Sequence, residues 1–149
     1  MGKEAVYLET YKKGLLDKKI ERLYERMQCC DICPRKCGVN RFESKTGICK
    51  TGLNPIVSGH HPHFGEEEPL VDGKGSGTIF FTYCNLLCVF CQNWDVSHEG
   101  AGNKITTDEL AHMMLELQDM GCHNINLVTP THVIPMILKA LKTAIEKRI

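Results

Sequence analysis

Residues 82–93 read Thr-Tyr-Cys-Asn-Leu-Leu-Cys-Val-Phe-Cys-Gln-Asn, and the rest of the chain is best understood from this stretch. Cys84, Cys88 and Cys91 form a Cys-x3-Cys-x2-Cys pattern directly after the apolar run at residues 78–81. A β-strand that ends in such a loop can bring three thiolates to one cubane iron–sulfur cluster. Since the cluster has four irons and the loop supplies three ligands, one iron stays open for another ligand.

The three-cysteine pattern also has an ordinary interpretation, namely unrelated buried or zinc-binding cysteines. With nine cysteines in 149 residues, composition alone produces this spacing in roughly 3% of such chains. The strand before the loop and the aromatic Phe90 within it make a coincidence rarer still. We therefore favour a cluster-binding loop over three unrelated thiols.

A second group of cysteines lies upstream, where residues 30–49 contain the pattern Cys-x2-Cys-x3-Cys-x11-Cys, with Cys29 as a spare. Four thiolates can close a tetrahedral zinc site or hold a second cubane cluster, and spacing alone does not choose between them. This glycine-rich segment cannot bury much core, so a metal would hold it together. Free buried cysteines are the alternative. The four candidate ligands are Cys30, Cys33, Cys37 and Cys49.

Composition narrows the class of protein. Eighteen basic and eighteen acidic residues leave a net charge of zero, which gives no electrostatic case for a nucleic acid or an anionic membrane as partner. No apolar run is long enough to cross a membrane, and the first six residues lack the apolar core of a signal peptide. Gly2 is a weak myristoylation signal, because Val6 stands where Ser or Thr is expected. Nine cysteines then favour a reducing cytoplasm with metal-bound thiolates over disulfides.

The amino-terminal half contains one predicted helix and one predicted loop. Residues 5–28 have apolar side chains at three- and four-residue steps, which predicts a helix that Gly14 can divide in two. Residues 53–77 lack periodicity and are predicted to be a solvated loop, ending in a turn at residues 73–77 that leads into a strand. A metal-binding cluster is the alternative for this loop. Its candidate ligands would be His60, His61, His63, Glu66, Glu67 and Glu68.

The carboxyl-terminal half alternates strands and helices. Residues 77–83 are apolar on both faces, as a parallel strand covered by helices is, and residues 124–128 form a second predicted strand. Between these two strands, Thr106 and Glu109 form a capping box at the start of a predicted helix. Pro135 fits the first turn of a last helix. This order predicts an α/β fold in which a right-handed crossover joins two parallel strands.

These motifs resemble the radical S-adenosylmethionine (radical SAM) superfamily, in which an aromatic residue, here Phe90, precedes the third cysteine of the loop. Beyond the loop, the chain resembles the branch related to the pyruvate formate-lyase activating enzymes. The stretches that carry this second resemblance are residues 30–41, 65–69, 75–81, 91–93 and 128–132.

The resemblance implies the amino-terminal part of a partial (β/α) barrel, with about two βα units, preceded by a helix and a cysteine-rich metal-binding module. The regions that we predict are an N-terminal helical segment at 1–29, the cysteine-rich module and loop at 30–76, and a partial radical SAM domain at 77–149. A barrel of this superfamily has about six βα units, so we expect the chain to be a fragment of a longer enzyme.

The resemblance also implies the chemistry. A [4Fe–4S] cluster on Cys84, Cys88 and Cys91 would bind S-adenosylmethionine and cleave it reductively to a 5′-deoxyadenosyl radical. That radical would serve to activate a glycyl radical enzyme or to modify another substrate. Superfamily members often carry a Gly-Gly-Glu-like segment after the second strand, whereas this chain has Thr-Pro-Thr at residues 129–131. The residues that the resemblance places at the cofactor are Phe90, Asn93, Thr129 and Thr131.

The expected partners are an electron donor such as flavodoxin or ferredoxin and a protein substrate, with no nucleic acid and no membrane. Two other classes of protein compete with this hypothesis. One is a two-cluster electron-transfer protein, in which Cys122 would have to be the fourth ligand of the loop cluster. The other is a zinc-stabilised binding module without a redox role.

Overall fold

The computed structural model describes residues 5–71 and 73–149, which fold into helices around one mixed sheet. The helices are α1 (Val6–Lys12), α2 (Leu15–Arg26), the single turn α3 (Glu68–Val71), α4 (Thr107–Asp119) and α5 (Ile134–Glu146). The strands are β1 (Ile56–His63), β2 (Ser76–Phe81), β3 (Asn103–Lys104) and β4 (Ile125–Val128). Short 3-10 turns occupy Met27–Cys29, Arg41–Glu43 and Thr131–Val133, and a π-helical turn occupies Asp95–Glu99.

The sheet has the order β3-β1-β2-β4. Strands β2 and β4 are parallel and in register from the Gly77–Ile125 pair to the Phe80–Val128 pair, which confirms the predicted parallel pair. Strand β1 runs antiparallel to both β2 and β3. The architecture is therefore α/β with a four-stranded mixed sheet, instead of the two-stranded sheet that the sequence predicted.

The prediction of a loop over residues 53–77 is wrong, because β1 lies within it. The strand has no alternation of polar and apolar residues, and its pairing with the buried β2 makes it a strand. Successive side chains of a strand point to opposite faces. Accordingly, His60 lies 2.7 Å from a carboxylate oxygen of Glu116, whereas His61 stacks on Phe80. The histidines of β1 therefore do not act as one cluster.

The core lies between the sheet and the two long helices α4 and α5. Strand β2 is buried along nearly its whole length, as the sequence predicted, and its Ile79 and Phe81 are 0% and 1% exposed. Each large apolar side chain buried in this way contributes about 1.5–3 kcal/mol. The helix residues that complete this core are Leu110, Ala111, Met114, Leu117, Met136, Ile137, Ala140 and Ala144.

Local signals place the helix ends as predicted. The Thr106 hydroxyl accepts a hydrogen bond from the Glu109 amide, and the Glu109 carboxylate accepts one from the Thr106 amide. The Thr106 amide and hydroxyl both donate to the Glu109 carboxylate, and these two hydrogen bonds lower the pKa of Glu109. Pro135 lies in the first turn of α5. Gly14, with a φ of 66°, separates α1 from α2, so the predicted helix over residues 5–28 is two helices.

Helix α2 contacts the rest of the structure near its first turn and just after its last residue. Lys142 of α5 lies 2.6 Å from the Asp17 carboxylate, and Met27, just after α2, is completely buried in the core. The cysteine-rich segment follows Met27 directly, so this packing holds that segment against the sheet. No helix in the described part of the chain is long and apolar enough to cross a membrane.

Candidate functional site

The candidate site lies at the carboxyl edge of the two parallel strands. The cysteine loop leaves β2 and the Thr129–His132 stretch leaves β4, so both reach the same edge of the sheet. Two hydrogen bonds connect them. The Thr129 hydroxyl donates to the Phe81 carbonyl at 2.8 Å, and His132 Nε2 donates to the Thr82 carbonyl at 3.0 Å. The structure therefore brings the predicted residues Thr129 and Thr131 to the strand end that Cys84 follows.

The three cysteines of the loop differ in exposure. Cys84 is buried, Cys91 is partly buried and Cys88 is exposed. A tight turn connects the last two, since the Cys91 amide donates to the Cys88 carbonyl at 3.2 Å. Exposure of the middle thiol leaves the loop open to a cofactor from solvent.

Two hydrogen-bond donors face the sulfur atoms of this loop. The Leu86 amide lies 3.5 Å from Cys84 Sγ, and the Ser97 hydroxyl lies 3.2 Å from Cys91 Sγ. Donors to cysteine sulfur stabilise the thiolate and tune the potential of an iron–sulfur cluster. These donors fit a loop that holds a cluster. Ser97 was not predicted as a site residue, because nothing in the sequence shows that the π-helical turn returns it to Cys91.

The backbone is strained at this edge of the sheet. Tyr83, Leu87 and Thr129 have φ values of 53°, 56° and 57°, in the left-handed region that non-glycine residues seldom adopt. Such conformations cost about 1–3 kcal/mol each and concentrate at functional sites. The Tyr83 amide donates to the Val96 carbonyl at 3.1 Å, which holds the residue before Cys84 in place.

The tip of the loop exposes apolar side chains. Val89 and Phe90 are each 87% exposed, and Leu86 is 66% exposed. Three neighbouring apolar side chains in solvent indicate a surface that another molecule covers. Packing of Phe90 against the adenine end of a cofactor remains a prediction. Asn93 is partly buried, and its carbonyl accepts from the Ser97 amide at 2.9 Å; its predicted role at the cofactor also stays a prediction.

The four cysteines of the upstream segment line a single cavity. Cys30, Cys33, Cys37 and Cys49 surround it together with Arg41, His132 and Gly47, whereas the spare Cys29 is exposed. A Cβ atom on Gly47 would lie 2.5 Å from Cys37 Sγ, so this position has room only for glycine. Burial raises the pKa of the Cys49 thiol, and its hydrogen bonds with Thr51 and the charge of Arg41 offset this in part.

In the described ranges, 5–71 and 73–149, no three His, Cys, Asp or Glu side chains converge closely enough to hold a metal ion. The cysteines of each group therefore lie near one another, but their side chains do not converge closely enough to bind a common metal ion. A bound cluster or ion would have to draw the thiols inward by side-chain rotation.

Two arginines of the cysteine-rich segment join it to both site loops. Arg35 donates from Nε to the Asn85 carbonyl at 2.8 Å and from Nη2 to the Leu86 carbonyl at 3.1 Å. Arg41 donates from Nη1 to the His132 carbonyl at 2.9 Å. Neither role was predicted. An arginine side chain can donate to several carbonyls at once. These contacts could not be predicted, because their partners are 50 to 91 residues away in the sequence.

His132 is buried between the cysteine-rich segment and the sheet. It is 1% exposed, and burial together with the positive charge of Arg41 lowers its pKa to about 4. The imidazole is therefore neutral near pH 7, with the proton on Nε2 and a lone pair on Nδ1. That Nδ1 atom and the neighbouring Thr82 hydroxyl are buried without a hydrogen-bond partner among the described residues.

Cys122 lies at the opposite edge of the sheet. It precedes β4, and its thiol is directed to the Lys74 carbonyl at 3.9 Å, beside the start of β2. A strand as long as β2 spans roughly 20 Å. Cys122 is therefore too far away to be the fourth ligand of a cluster on the cysteine loop, as a two-cluster electron-transfer protein would require.

Comparison with known proteins agrees with the geometry. The uncharacterized protein MJ0674 of Methanocaldococcus jannaschii is 37% identical over 144 residues. The match covers 91% of this chain and 40% of the relative, so the chain spans less than half of that protein's length. No solved structure matches the chain at a significant level. The family model of the radical SAM superfamily matches residues 78–149. The part of this chain from residue 78 to residue 149 is a radical SAM superfamily domain.

Proposed function

We propose that Cys84, Cys88 and Cys91 hold a [4Fe–4S] cluster, and that the chain supplies the S-adenosylmethionine-binding end of a radical enzyme. The observation that carries the proposal is the position of the cysteine loop at the carboxyl edge of β2, beside the loop that follows β4. Ligands of open α/β sheets bind at this edge. When bound, the cluster supplies the electron that breaks a carbon–sulfur bond of S-adenosylmethionine, leaving methionine and a 5′-deoxyadenosyl radical.

The residues of the chain orient and shield this reaction. The Leu86 amide and the Ser97 hydroxyl stabilise the thiolates of Cys84 and Cys91. Thr129 donates its hydroxyl hydrogen to the Phe81 carbonyl at the end of β2, so towards a cofactor this hydroxyl can only accept a hydrogen bond. Thr131 and Asn93 are the side chains that we propose for cofactor contact, with Phe90 covering the adenine.

We propose that the protein acts in the manner of the pyruvate formate-lyase activating enzymes, with flavodoxin or ferredoxin as electron donor and a protein such as a glycyl radical enzyme as substrate. The exposed apolar side chains of Leu86 and Val89, beside Phe90, are the surface that such a partner would cover. All nine cysteines are free thiols, which suits a reducing cytoplasm, where radical chemistry on a cluster can persist.

Electron paramagnetic resonance after anaerobic reconstitution tests this proposal. Reduced protein should show a cubane signal that changes when S-adenosylmethionine is added, because the ligand coordinates the open iron. Replacing Cys84, Cys88 or Cys91 by Ala should abolish the signal, whereas Cys122→Ala should leave it intact. A fully loaded cluster whose spectrum ignores S-adenosylmethionine would contradict the proposal. Loss of the signal in Cys122→Ala would favour the electron-transfer alternative.

A further inference from the structure

We propose that Cys30, Cys33, Cys37 and Cys49 bind one Zn²⁺ ion as a redox-inactive tetrathiolate site that sets the position of the cysteine loop. The sequence spacing alone leaves zinc and a second cubane cluster as equal alternatives. The size of the cavity favours the single ion over a cluster, and two further features favour a metal site over free thiols. None of them depends on the function proposed above.

The first feature is the size of the cavity. The four cysteines enclose about 10 Å³, which is the room that one water-sized sphere occupies. A cubane cluster carries four irons and four sulfides, so it would have to push the segment apart. Gly47 already lies so close to Cys37 that a Cβ atom there would be 2.5 Å from its sulfur. A single Zn²⁺ ion fits once the thiols rotate inward to about 2.3 Å from it.

The second feature is the buried charge of Arg41. Its side chain is 2% exposed, and its partners are the carbonyls of Gly52 and His132, with Cys30 Sγ at 4.0 Å. No carboxylate pairs with it within residues 5–71 and 73–149. A buried charge without a counter-charge is costly. Zinc bound by four thiolates carries two negative charges, which supplies the counter-charge that Arg41 lacks.

The third feature is His132, which lines the same cavity. Its Nδ1 atom is buried and has no partner among the described residues, although buried polar atoms are nearly always hydrogen-bonded. The cavity is therefore bordered by four thiols and an imidazole, which are side chains that bind Zn²⁺ in proteins. The plain alternative, free buried cysteines, leaves the guanidinium of Arg41 without a counter-charge.

The connection to the cysteine loop follows from the same contacts. Arg35 lies between Cys33 and Cys37 and holds the carbonyls of Asn85 and Leu86, while Arg41 holds the His132 carbonyl. Lys50, next to Cys49, lies over the Tyr83 ring at 5.1 Å. An ion that fixes the four cysteines thereby fixes the residues on both sides of Cys84.

Metal analysis of a variant with Cys84, Cys88 and Cys91 all replaced by Ala tests the proposal, since this variant lacks the loop cluster. Produced anaerobically with iron and zinc both supplied, it should contain about one zinc per chain and almost no iron. Cobalt introduced in place of zinc should show the strong visible absorption of a tetrahedral tetrathiolate. Four irons per chain with a reducible cluster signal, or no metal at all, would overturn the proposal.

Single substitutions identify the ligands. Adding Cys33→Ser to that variant should remove most of the zinc and lower the melting temperature, whereas Cys29→Ser, a neighbouring exposed thiol, should change neither. If Cys33→Ser does not fold, the cobalt spectrum of the parent variant still decides the ligand set. Loss of zinc in His132→Gln combined with retention in Cys49→Ser would show that the imidazole is the fourth ligand and would overturn the four-cysteine assignment.

Discussion

Arg35 donates two hydrogen bonds to the backbone of the cysteine loop, one to the Asn85 carbonyl at 2.8 Å and one to the Leu86 carbonyl at 3.1 Å. The two residues Arg35 and Asn85 are 50 positions apart in the sequence. Asn85 follows Cys84 directly, so this bidentate contact fixes the direction in which the loop leaves the sheet. The cysteine-rich segment is therefore part of the support of the candidate site.

Replacing Arg35 by Gln should loosen the loop. We expect an apparent affinity for S-adenosylmethionine several-fold weaker than in the parent protein, and a loss of about 1 kcal/mol in unfolding free energy, because two charge-assisted hydrogen bonds disappear. Titrating the cofactor against the cluster signal measures the first effect. Arg35→Lys should recover only part of the cofactor affinity and of the unfolding free energy, since an ammonium group lacks the forked geometry of the guanidinium. The control is Arg22→Gln on the exposed surface; equal behaviour of the two variants would show that Arg35 does not support the loop.

In protein freed of metal by a chelator, His132 should make folding stability fall with acid. Its pKa is lowered to about 4 in the folded protein by burial and by Arg41, whereas the unfolded chain has the ordinary value near 6.5. The unfolded state therefore takes up a proton first as the pH falls. Stability from this group is complete above about pH 6.5, is lost between 6.5 and 4, and the total loss is about 3 kcal/mol.

Chemical denaturation at several pH values measures this effect. His132→Gln keeps a donor for the Thr82 carbonyl and removes the titration, so its stability should change less between pH 6.5 and 4. The exposed His123→Gln should retain the full decline. A His132→Gln profile that runs parallel to that of the parent protein would rule out His132 as the source.

Gly100→Ala should displace Tyr83 and thereby distort the cysteine loop. Gly100 has a φ of 77°, and a Cβ atom there would overlap the Tyr83 ring. Backbone strain and steric overlap together should lower the unfolding free energy by about 2–4 kcal/mol and displace Tyr83, which precedes Cys84. We expect lower cluster occupancy after reconstitution, measured by iron content and visible absorption. Gly59→Ala is the control, because its Cβ would meet no atom within 4 Å. Normal iron content in Gly100→Ala would show that the loop tolerates movement of Tyr83.

The outer edge of β4 should promote self-association. Within the described part of the chain, β4 pairs only with β2, and an apolar groove beside it is lined by Ile125, Leu127, Ile137 and Leu141. An open edge next to exposed apolar surface invites pairing with another chain. Sedimentation should show dimers or larger species at high micromolar concentration, and Ile125→Lys should shift them toward monomer while Leu70→Lys in α3 should not. A parent chain that is monomeric at that concentration would contradict this prediction.

The parallel pair of strands and the helices around it could be predicted because their signals are local. The continuous apolar run of β2, the capping box of Thr106 and Glu109, and Pro135 in α5 each act within a few residues, and packing reinforced them. The cysteine loop was recognisable for the same reason, since three ligands within eight residues need only a turn to approach one another.

Tertiary structure alone decided the rest. Strand β1 has no strand pattern of its own and exists because β2 and β3 pair with it. The positions of Arg35, Arg41 and His132 depend on contacts across 50 to 91 residues. Such contacts form only when the hydrophobic core has brought the segments together, so no short stretch of sequence records them. The supports of the candidate site are therefore set by the packing, whereas its three candidate ligands are evident in the sequence.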